Sequence, residues 1–205
     1  MGMNRLCFVV CCLLFPLVCA GAQYRAGERT YNPDNQFPHW EIGTAWEGSS
    51  SEVSLLNGQL SSDGLHGVSG RLLYYPYPAT AVGIEGTYFG KQSLVPFVTS
   101  YRVHRFGILG KLHLSAQTNP RIYLVAGAGQ TSHQLKYKSP FEGLNHTKHI
   151  FYVTGGIGTE ISVYRCAFVL LEGRMIYNKA TMLSHFYTFT KRWEGNVRLG
   201  VGARF

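Results

Sequence analysis

The sequence predicts an all-β protein that closes into an eight-stranded antiparallel up-and-down transmembrane β-barrel. Eight segments alternate apolar and polar residues, and the gaps between them are alternately short and long. Charged residues make up only 15% of the 205 residues, whereas 24 residues are Gly, 13 are Tyr and 12 are Phe. This composition is typical of a membrane barrel, because each strand presents one face to lipid and the other to the lumen.

The strongest alternation lies in the last segment, residues 193–205. Its odd positions hold apolar residues such as Val197 and Leu199, and its even positions hold polar residues, glycine or arginine, such as Arg198. A period of two is the repeat of a β-strand with two different environments on its faces. The same repeat predicts eight strands, at residues 40–47, 65–75, 80–89, 101–114, 121–130, 150–163, 166–177 and 193–205. The start of the fourth strand is irregular, which indicates a β-bulge.

The gaps predict how the strands are oriented. Short connections follow the second, fourth and sixth strands, at residues 76–79, 115–120 and 164–165. Long connections follow the first, third, fifth and seventh strands, at residues 48–63, 90–100, 131–149 and 178–192. In barrels of this kind the short turns are periplasmic and the long loops extracellular. Both ends of the barrel chain are therefore expected on the periplasmic side.

The first 22 residues are predicted to be a signal peptide. Arg5 supplies a positive start, an apolar run follows, and Ala20-Gly21-Ala22 forms a small-residue cleavage site. Lipid attachment at Cys19 is the alternative, although Val18 is bulkier than such a site prefers before its cysteine. Residues 23–39 are expected to be a short periplasmic segment that leads into a barrel domain of residues 40–205.

Cysteine usage limits the redox chemistry. Four of the five cysteines lie in the predicted signal peptide, so Cys166 is the single cysteine expected after cleavage. No intramolecular disulfide is then possible.

A soluble β-sandwich or a lipocalin-like barrel would also alternate, with the apolar face turned inward. Two features favour the membrane barrel. The polar faces carry glycine and single Arg or Glu residues, and the chain ends on the aromatic residue Phe205.

Residues 40–205 resemble the OmpA-like and OmpX-like families of small eight-stranded outer-membrane barrels. The resemblance depends on the strand pattern, the alternation of connections and the terminal strand Val197–Phe205, and on no catalytic motif. It implies a bacterial outer membrane and insertion by the outer-membrane assembly machinery, with Val201, Ala203 and Phe205 as the assembly signal. It does not imply anchorage to the cell wall, because no peptidoglycan-binding domain follows the barrel.

If the apolar faces point outward, six acidic and seven basic residues point into the lumen. An eight-stranded barrel has an interior just wide enough for its own side chains, and an unpaired buried charge costs several kcal/mol. The sequence therefore predicts an ion-paired, largely closed lumen, and a narrow pore is the alternative. The expected members are Glu41, Glu47, Arg71, Glu85, Arg105, Lys111, Arg121, Glu160, Glu172, Arg174, Glu194, Arg198 and Arg204.

No enzyme, cofactor or metal site is predicted. A lipid A-modifying enzyme, with His and Ser near the outer leaflet, is a weaker alternative. His113 and Ser115 lie at the wrong end for it, and no acidic residue is evident to orient His185 beside Ser184. The histidines of residues 131–149 lack a convincing metal-ligand spacing.

The long loops are candidates for interaction. Their basic and aromatic residues are suited to lipopolysaccharide phosphates or to a surface ligand, although basic loops also balance the charge of an anionic leaflet. The candidates are Lys136, Lys138, Lys148, Phe186 and Tyr187. The formal charge of +8 is spread along the chain rather than clustered, so nucleic acid is not an expected partner. We expect a monomer.

Overall fold

A computed structural model describes residues 39–55, 60–94, 98–114, 119–164, 166–179, 187–189 and 192–205. The predicted signal peptide and nearly all of the segment that follows it lie outside this range. The side chains of residues 52–63 and 91–97, and of β-strand residues 187–189, are also outside it.

The described chain is almost entirely β-strand. One short 3-10 helix, Phe141–Leu144, interrupts it, and no helix in the described ranges is long and apolar enough to cross a membrane. The strands are β1 (His39–Leu55), β2 (Leu60–Tyr77), β3 (Thr80–Leu94), β4 (Val98–His113), β5 (Arg121–Tyr137), β6 (His146–Ser162), β7 (Ala167–Asn178), β8 (Tyr187–Phe189) and β9 (Trp193–Arg204).

Eight of these strands close into a barrel, as the sequence predicts. Each barrel strand pairs antiparallel with the next along the chain, and β9 pairs with both β7 and β1. The closing seam begins at the ends of the barrel chain, where Trp40 and Phe205 exchange two backbone hydrogen bonds of 2.9 and 3.0 Å. The protein is therefore an eight-stranded antiparallel up-and-down transmembrane β-barrel.

The two ends of the barrel differ. At the turn end, which contains Trp40 and Phe205, the connections β2–β3, β4–β5 and β6–β7 are short. At the opposite loop end, the strands run further than predicted: β1 continues to Leu55, and β5 and β6 occupy most of the predicted 131–149 gap. The three residues of β8 extend the sheet there by pairing with β1. Near the predicted irregular start of the fourth strand, the register of β4 shifts against β3 between Phe89 and Gln92, and against β5 between Val98 and Ser100.

The outer surface is apolar along the middle of the barrel. Ile42, Ile108 and Leu199 point outward and are 45%, 68% and 55% exposed. An apolar exterior is stable only in lipid, and its alternation with a polar interior matches the face assignment from the sequence. We call this surface the apolar belt. Aromatic side chains border it at the turn end (Trp40, Tyr74, Phe205) and at the loop end (Trp46, Tyr88, Phe106, Phe151, Tyr177, Trp193).

Beyond the belt at the loop end, the sidedness reverses. In β4 the outward residues Phe106 and Ile108 are apolar, but nearer the loop end the inward residues Tyr101 and Val103 are apolar and buried. The outward residue Arg102 is polar and exposed. The loop-end extension thus has an apolar interior and a polar exterior, as a β-barrel surrounded by water requires. Its buried apolar residues are Leu65, Phe89, Val98, Tyr101, Val103, Leu135, Tyr137, Ile150 and Tyr152.

Candidate functional site: the ion-paired lumen

The membrane-spanning part of the lumen is filled by charged side chains, which begin with a cluster at the turn end. Glu41 on β1 is fully buried and lies 2.7 Å from Arg71 on β2, 3.2 Å from Lys111 on β4 and 2.8 Å from Arg204 on β9. Glu160 on β6 contacts the same three basic residues, at 3.1 Å for Arg71. Two carboxylates thus share three cations.

A second cluster occupies the centre. Arg71 reaches from the first cluster to Glu172 on β7 at 3.5 Å, which joins the two clusters. Arg174 lies 2.8 Å from Glu85 and also pairs with Glu172. Arg198 pairs with both of these carboxylates, at 3.3 Å for Glu172.

Arg198 also leads into a third cluster, toward the loop end. Its guanidinium lies 3.0 Å from Glu47 on β1. Arg105 on β4 bridges Glu47 at 3.1 Å and Glu194 on β9 at 3.2 Å. The three clusters therefore form one continuous network of ion pairs along the barrel axis, which we call the lumen network.

The lumen network is electrically balanced. Within the described strands it contains six glutamates and six basic residues, and eleven of the twelve are at most 7% exposed, the exception being the half-buried Arg204. Burial of this many charges requires such pairing, because the desolvation of a single unpaired ion costs several kcal/mol.

Arg121 differs from the expectation that all seven lumen bases are paired. It is half-buried at the turn end of β5, directly opposite Glu160 in the strand register, yet it makes no ion pair with the described residues. Glu160 instead contacts Arg71, Lys111 and Arg204 from other strands. The six glutamates are thereby matched by six bases without Arg121.

Neutral side chains complete the coordination of the carboxylates, and sequence reasoning did not single them out. Tyr75 donates a hydrogen bond of 2.6 Å to Glu41, and Tyr123 one of 2.9 Å to Glu172. Tyr75 lies four residues from Arg71, and Tyr123 two residues from Arg121. An even separation places both tyrosines on the inward face of their strands, and this alternation is the sequence signal that could have identified them. The remaining donors to network carboxylates are Ser49, Thr87, Asn178 and Asn196.

Aromatic rings close the space around the turn-end cations. The Lys111 ammonium lies 4.4 Å from the centre of the Tyr123 ring, and Arg204 lies 4.7 Å from that of Phe168. Both rings are accommodated by glycine, since a methyl group at Gly158 would overlap Tyr123 and one at Gly202 would overlap Phe168. The packing therefore needs glycine at these two strand positions.

At the loop-end side, the lumen network abuts the apolar interior of the extension. The Arg105 guanidinium stacks 5.2 Å from the Phe89 ring and 5.3 Å from the Tyr152 ring. In the central part of the lumen, a cavity beside Arg71 and Arg198 has room for about one water molecule. Along the barrel axis, charged clusters thus fill the interior from the turn end, and apolar side chains fill it at the loop end.

The residues considered for catalysis or metal binding do not converge in the part of the chain that is described. His113 points inward, as expected, and its Nε2 lies 3.2 Å from the Tyr75 hydroxyl. His133 points inward to Tyr101, whereas His149 points outward to Ser132. No group of three or more His, Cys, Asp or Glu among these residues is arranged to hold a metal ion. Ser115, Ser184 and His185 lie outside the described residues.

The loop candidates are placed partly on strands. Lys136 lies on β5 and Lys148 on β6, Lys138 follows β5, and all three are exposed at the loop end. They were expected within a loop, but the strands continue past the apolar belt. Phe186 and the side chain of Tyr187 lie outside the described residues.

The proposed assembly residues lie on the closing strand. Val201 and Phe205 are exposed on the outer surface at 39% and 52%, whereas Ala203 is 1% exposed.

The fold is similar to those of solved outer-membrane proteins. Neisserial surface protein A (NspA) superposes with a TM-score of 0.57 at 12% identity, over 81% of this chain and 97% of that one. Ail of Yersinia pestis, in complex with the heparin analogue sucrose octasulfate, has a TM-score of 0.53 at 13% identity, over 83% and 100%. A major outer membrane protein from Thermus thermophilus has a TM-score of 0.52 at 8% identity, over 80% and 99%.

No protein-family model matches the sequence, and no curated protein sequence is significantly similar to it. At these identities the likeness to solved structures establishes the small outer-membrane barrel fold and not a role.

Proposed function

We propose that the protein is an integral outer-membrane barrel with a closed lumen, which acts as a structural element and as an interaction surface at its loop end. The orientation follows from the short and long connections, with the loop end extracellular. The apolar belt and the similarity to outer-membrane barrels support this location.

The observation that carries the closed lumen is the continuous network of twelve paired charges, which adjoins the apolar interior of the extension at the loop end. An ion or solute that entered would have to displace Arg71, Arg174 or Arg198 from carboxylates at hydrogen-bond distance. Each rupture leaves a buried charge without its partner, which costs about 3–5 kcal/mol. A filled interior of this kind favours a plug over an aqueous channel.

A narrow pore is the second candidate, because its lining would be the same charges. Planar-bilayer recording of the refolded protein separates the two. We expect bilayers that contain the protein to show the baseline conductance. Reproducible open-channel steps, abolished by boiling the sample before reconstitution, would refute the closed lumen.

The interaction role draws on the charge at the loop end. Lys136, Lys138 and Lys148 are exposed there, against one exposed described carboxylate, Glu142. The crystallised complex of Ail with a heparin analogue supports a polyanionic partner, since a barrel of the same fold is seen there with a sulfated sugar. Outer-membrane lipid and lipopolysaccharide are the partners that this location supplies.

Two measurements test the location and the absence of catalysis. The protein is expected in the outer-membrane fraction, with heat-modifiable migration on a gel, as a folded barrel resists detergent until boiled. Lipid A from cells that express it is expected to keep its acyl chains. A gained or lost acyl chain would revive the lipid A-modifying enzyme as a candidate.

A further inference from the structure

We infer that the outer face of β4, β5 and β6, just beyond the apolar belt, binds the phosphate groups of a lipid in the surrounding leaflet. The residues that form this headgroup patch are Arg102, His104, Ser132, Lys136 and His149. The inference rests on the proposed outer-membrane location and names the side of the barrel on which one lipid is held.

The strand register brings the first row of the patch together. His104 on β4 lies opposite Ser132 on β5, which lies opposite His149 on β6. The Ser132 hydroxyl is 2.8 Å from Nδ1 of His149, and this contact is exposed. The His104 ring is held 5.0 Å from that of Tyr88 on β3. Three polar groups thus stand side by side on the outer surface.

The second row lies further along the same strands. Arg102 on β4 is opposite Gln134 on β5, and both have the outward parity of the first row. Lys136 follows on β5, where its carbonyl accepts a hydrogen bond of 3.1 Å from the Thr99 hydroxyl across the register shift. The guanidinium of Arg102 and the ammonium of Lys136 are exposed.

The depth of the patch fits a lipid headgroup. Phe106 and Phe151 are the last apolar outward residues before it on β4 and β6. With a rise of about 3.3 Å per residue, His104 lies roughly 7 Å and Arg102 roughly 13 Å beyond Phe106 on β4, and Lys136 roughly 20 Å beyond Gln130, which is opposite Phe106, on β5. For strands tilted by about 45°, these distances are about 5, 9 and 14 Å along the membrane normal. His104 therefore falls within the interfacial layer of roughly 5–8 Å, Arg102 lies at its outer edge, and Lys136 reaches it by extending its long side chain back toward the membrane. The patch faces sideways, parallel to the membrane plane, where a neighbouring headgroup sits.

No carboxylate among the described residues pairs with the bases of the patch. Six of the glutamates point into the lumen and are paired there, and Arg102 makes no ion pair with the described residues. Arginine can bind a phosphate through two parallel charge-assisted hydrogen bonds, to which an ammonium and histidine N–H donors can add.

On the opposite side of the barrel, formed by β9, β1 and β2, the described residues at this level are less basic. At the same level, outward positions of β1 and β9 hold the small residues Ser50 and Gly195, which hydrogen-bond to each other at 2.8 Å. His66 on β2 is stacked 5.5 Å from the Trp46 ring. Two exposed bases lie between the two sides: Arg192 donates to the Tyr177 hydroxyl at 3.2 Å, and Lys179, whose N–H donates to the Phe151 carbonyl at 2.9 Å, borders the patch. The patch therefore predicts one-sided binding of a phosphorylated lipid.

The test compares two charge-matched double variants of the refolded protein in detergent micelles. R102Q/K136Q removes two positive charges from the patch, and R121Q/R192Q removes two outside it, one at the turn end and one next to β9. Binding of bis-phosphorylated lipid A and of its dephosphorylated form is measured by titration, with native mass spectrometry as the readout. Heat-modifiable migration of each variant verifies that the barrel has formed.

We expect the patch variant to bind phosphorylated lipid A at least about tenfold more weakly than the unsubstituted protein, from the loss of two charge-assisted contacts. The control variant should bind as the unsubstituted protein does, and dephosphorylated lipid A should bind all three weakly. Equal affinity of the two variants for phosphorylated lipid A would overturn the inference.

A separate arm distinguishes a lipid from a soluble anion. Sucrose octasulfate and inorganic pyrophosphate are titrated in the same micelles. If either binds the unsubstituted protein as tightly as lipid A and loses the same affinity in R102Q/K136Q, the patch is a soluble-anion site and the lipid assignment fails. A protein that forms no heat-modifiable barrel, or that fractionates away from the outer membrane, would instead refute the proposed function.

Discussion

Single residues of the lumen network serve several partners at once. Glu172 lies within 3.5 Å of Arg71 and within 3.3 Å of Arg198, also pairs with Arg174, and accepts a hydrogen bond from Tyr123. It joins the turn-end cluster to the central one. One carboxylate therefore compensates parts of three guanidinium charges, and its removal unbalances residues on three strands.

Glu172→Gln tests this coupling. The amide keeps the size of the side chain but removes the charge, so the six bases of the network are left with five carboxylates, and Arg71, Arg174 and Arg198 each lose one partner. We expect the free energy of unfolding to fall by about 3–5 kcal/mol, the cost of breaking a buried ion pair from one side. Urea titration in lipid vesicles, followed by heat-modifiable migration, measures the loss. Glu142→Gln, at an exposed carboxylate, should change stability by less than about 0.5 kcal/mol. Equal effects of the two substitutions would contradict the network.

Among the elements, the sequence predicted the barrel strands but not their continuation into the loop-end extension. The alternation of apolar residues located all eight barrel strands, because lipid and lumen impose a strict period of two. The same criterion ended strands too early where the apolar residues change face, as in β5, which was predicted to end at residue 130 but continues past the inward, buried Leu135 to Tyr137. Water replaces lipid there, so the apolar face turns inward while the backbone continues as strand. The extension could have been recognised because apolar and polar residues still alternate there, with the apolar residues at the inward instead of the outward positions.

His133 makes the stability of this extension depend on pH. It is buried beyond the apolar belt, with the Tyr101 hydroxyl 2.8 Å from its Nδ1. Burial, and then the positive charges of Arg105 and His149, lower the pKa of His133 from 6.5 to about 3. Between these two values the unfolded chain binds a proton that the folded chain does not. Stability is therefore lost as the pH falls, by at most about 1.4 kcal/mol per pH unit from this group.

His133→Phe removes the titrating group, so we expect a shallower fall in stability between about pH 6.5 and pH 4. The substitution also removes the contact with Tyr101, which lowers stability at every pH and leaves the slope as the readout. Urea midpoints across this range measure it. His66→Gln, at an exposed histidine of the same end, serves as the control and should keep the original slope. If His133→Phe also keeps that slope, the buried imidazole is not the acid-sensitive group.

At the scale of the whole molecule, closure of the barrel decides which charged residues form ion pairs in the lumen, and the pairing of neighbouring strands does not. Register alone would pair Arg121 with Glu160, which are directly opposite each other but form no ion pair. Arg71 instead reaches Glu160 across the lumen, 89 residues away in sequence. The residues that face inward were predictable from parity. Which of them meet depends on strand tilt and stagger, which no single strand encodes.

The terminal strand completes the barrel through its backbone, and we propose that its outward ring at Phe205 serves separately as an assembly signal. The backbone of Phe205 pairs with Trp40 and completes the seam, whereas its ring is 52% exposed on the outer surface and contributes little to the interior. Phe205→Ser keeps the backbone hydrogen bonds. We therefore expect the purified variant to refold in detergent as the unsubstituted protein does, but to reach the outer membrane of cells in a several-fold lower amount, because the assembly machinery would read the outward ring.

Trp193→Ser is the matched control, since Trp193 is an outward aromatic of the same strand at the other end and is 57% exposed. It should lower the amount in the outer membrane much less than Phe205→Ser does. Heat-modifiable migration of purified protein and quantified outer-membrane fractions provide the two readouts. If Phe205→Ser impairs refolding in detergent as strongly as assembly in cells, the ring stabilises the barrel itself. The assembly signal would then have to lie in other residues of β9.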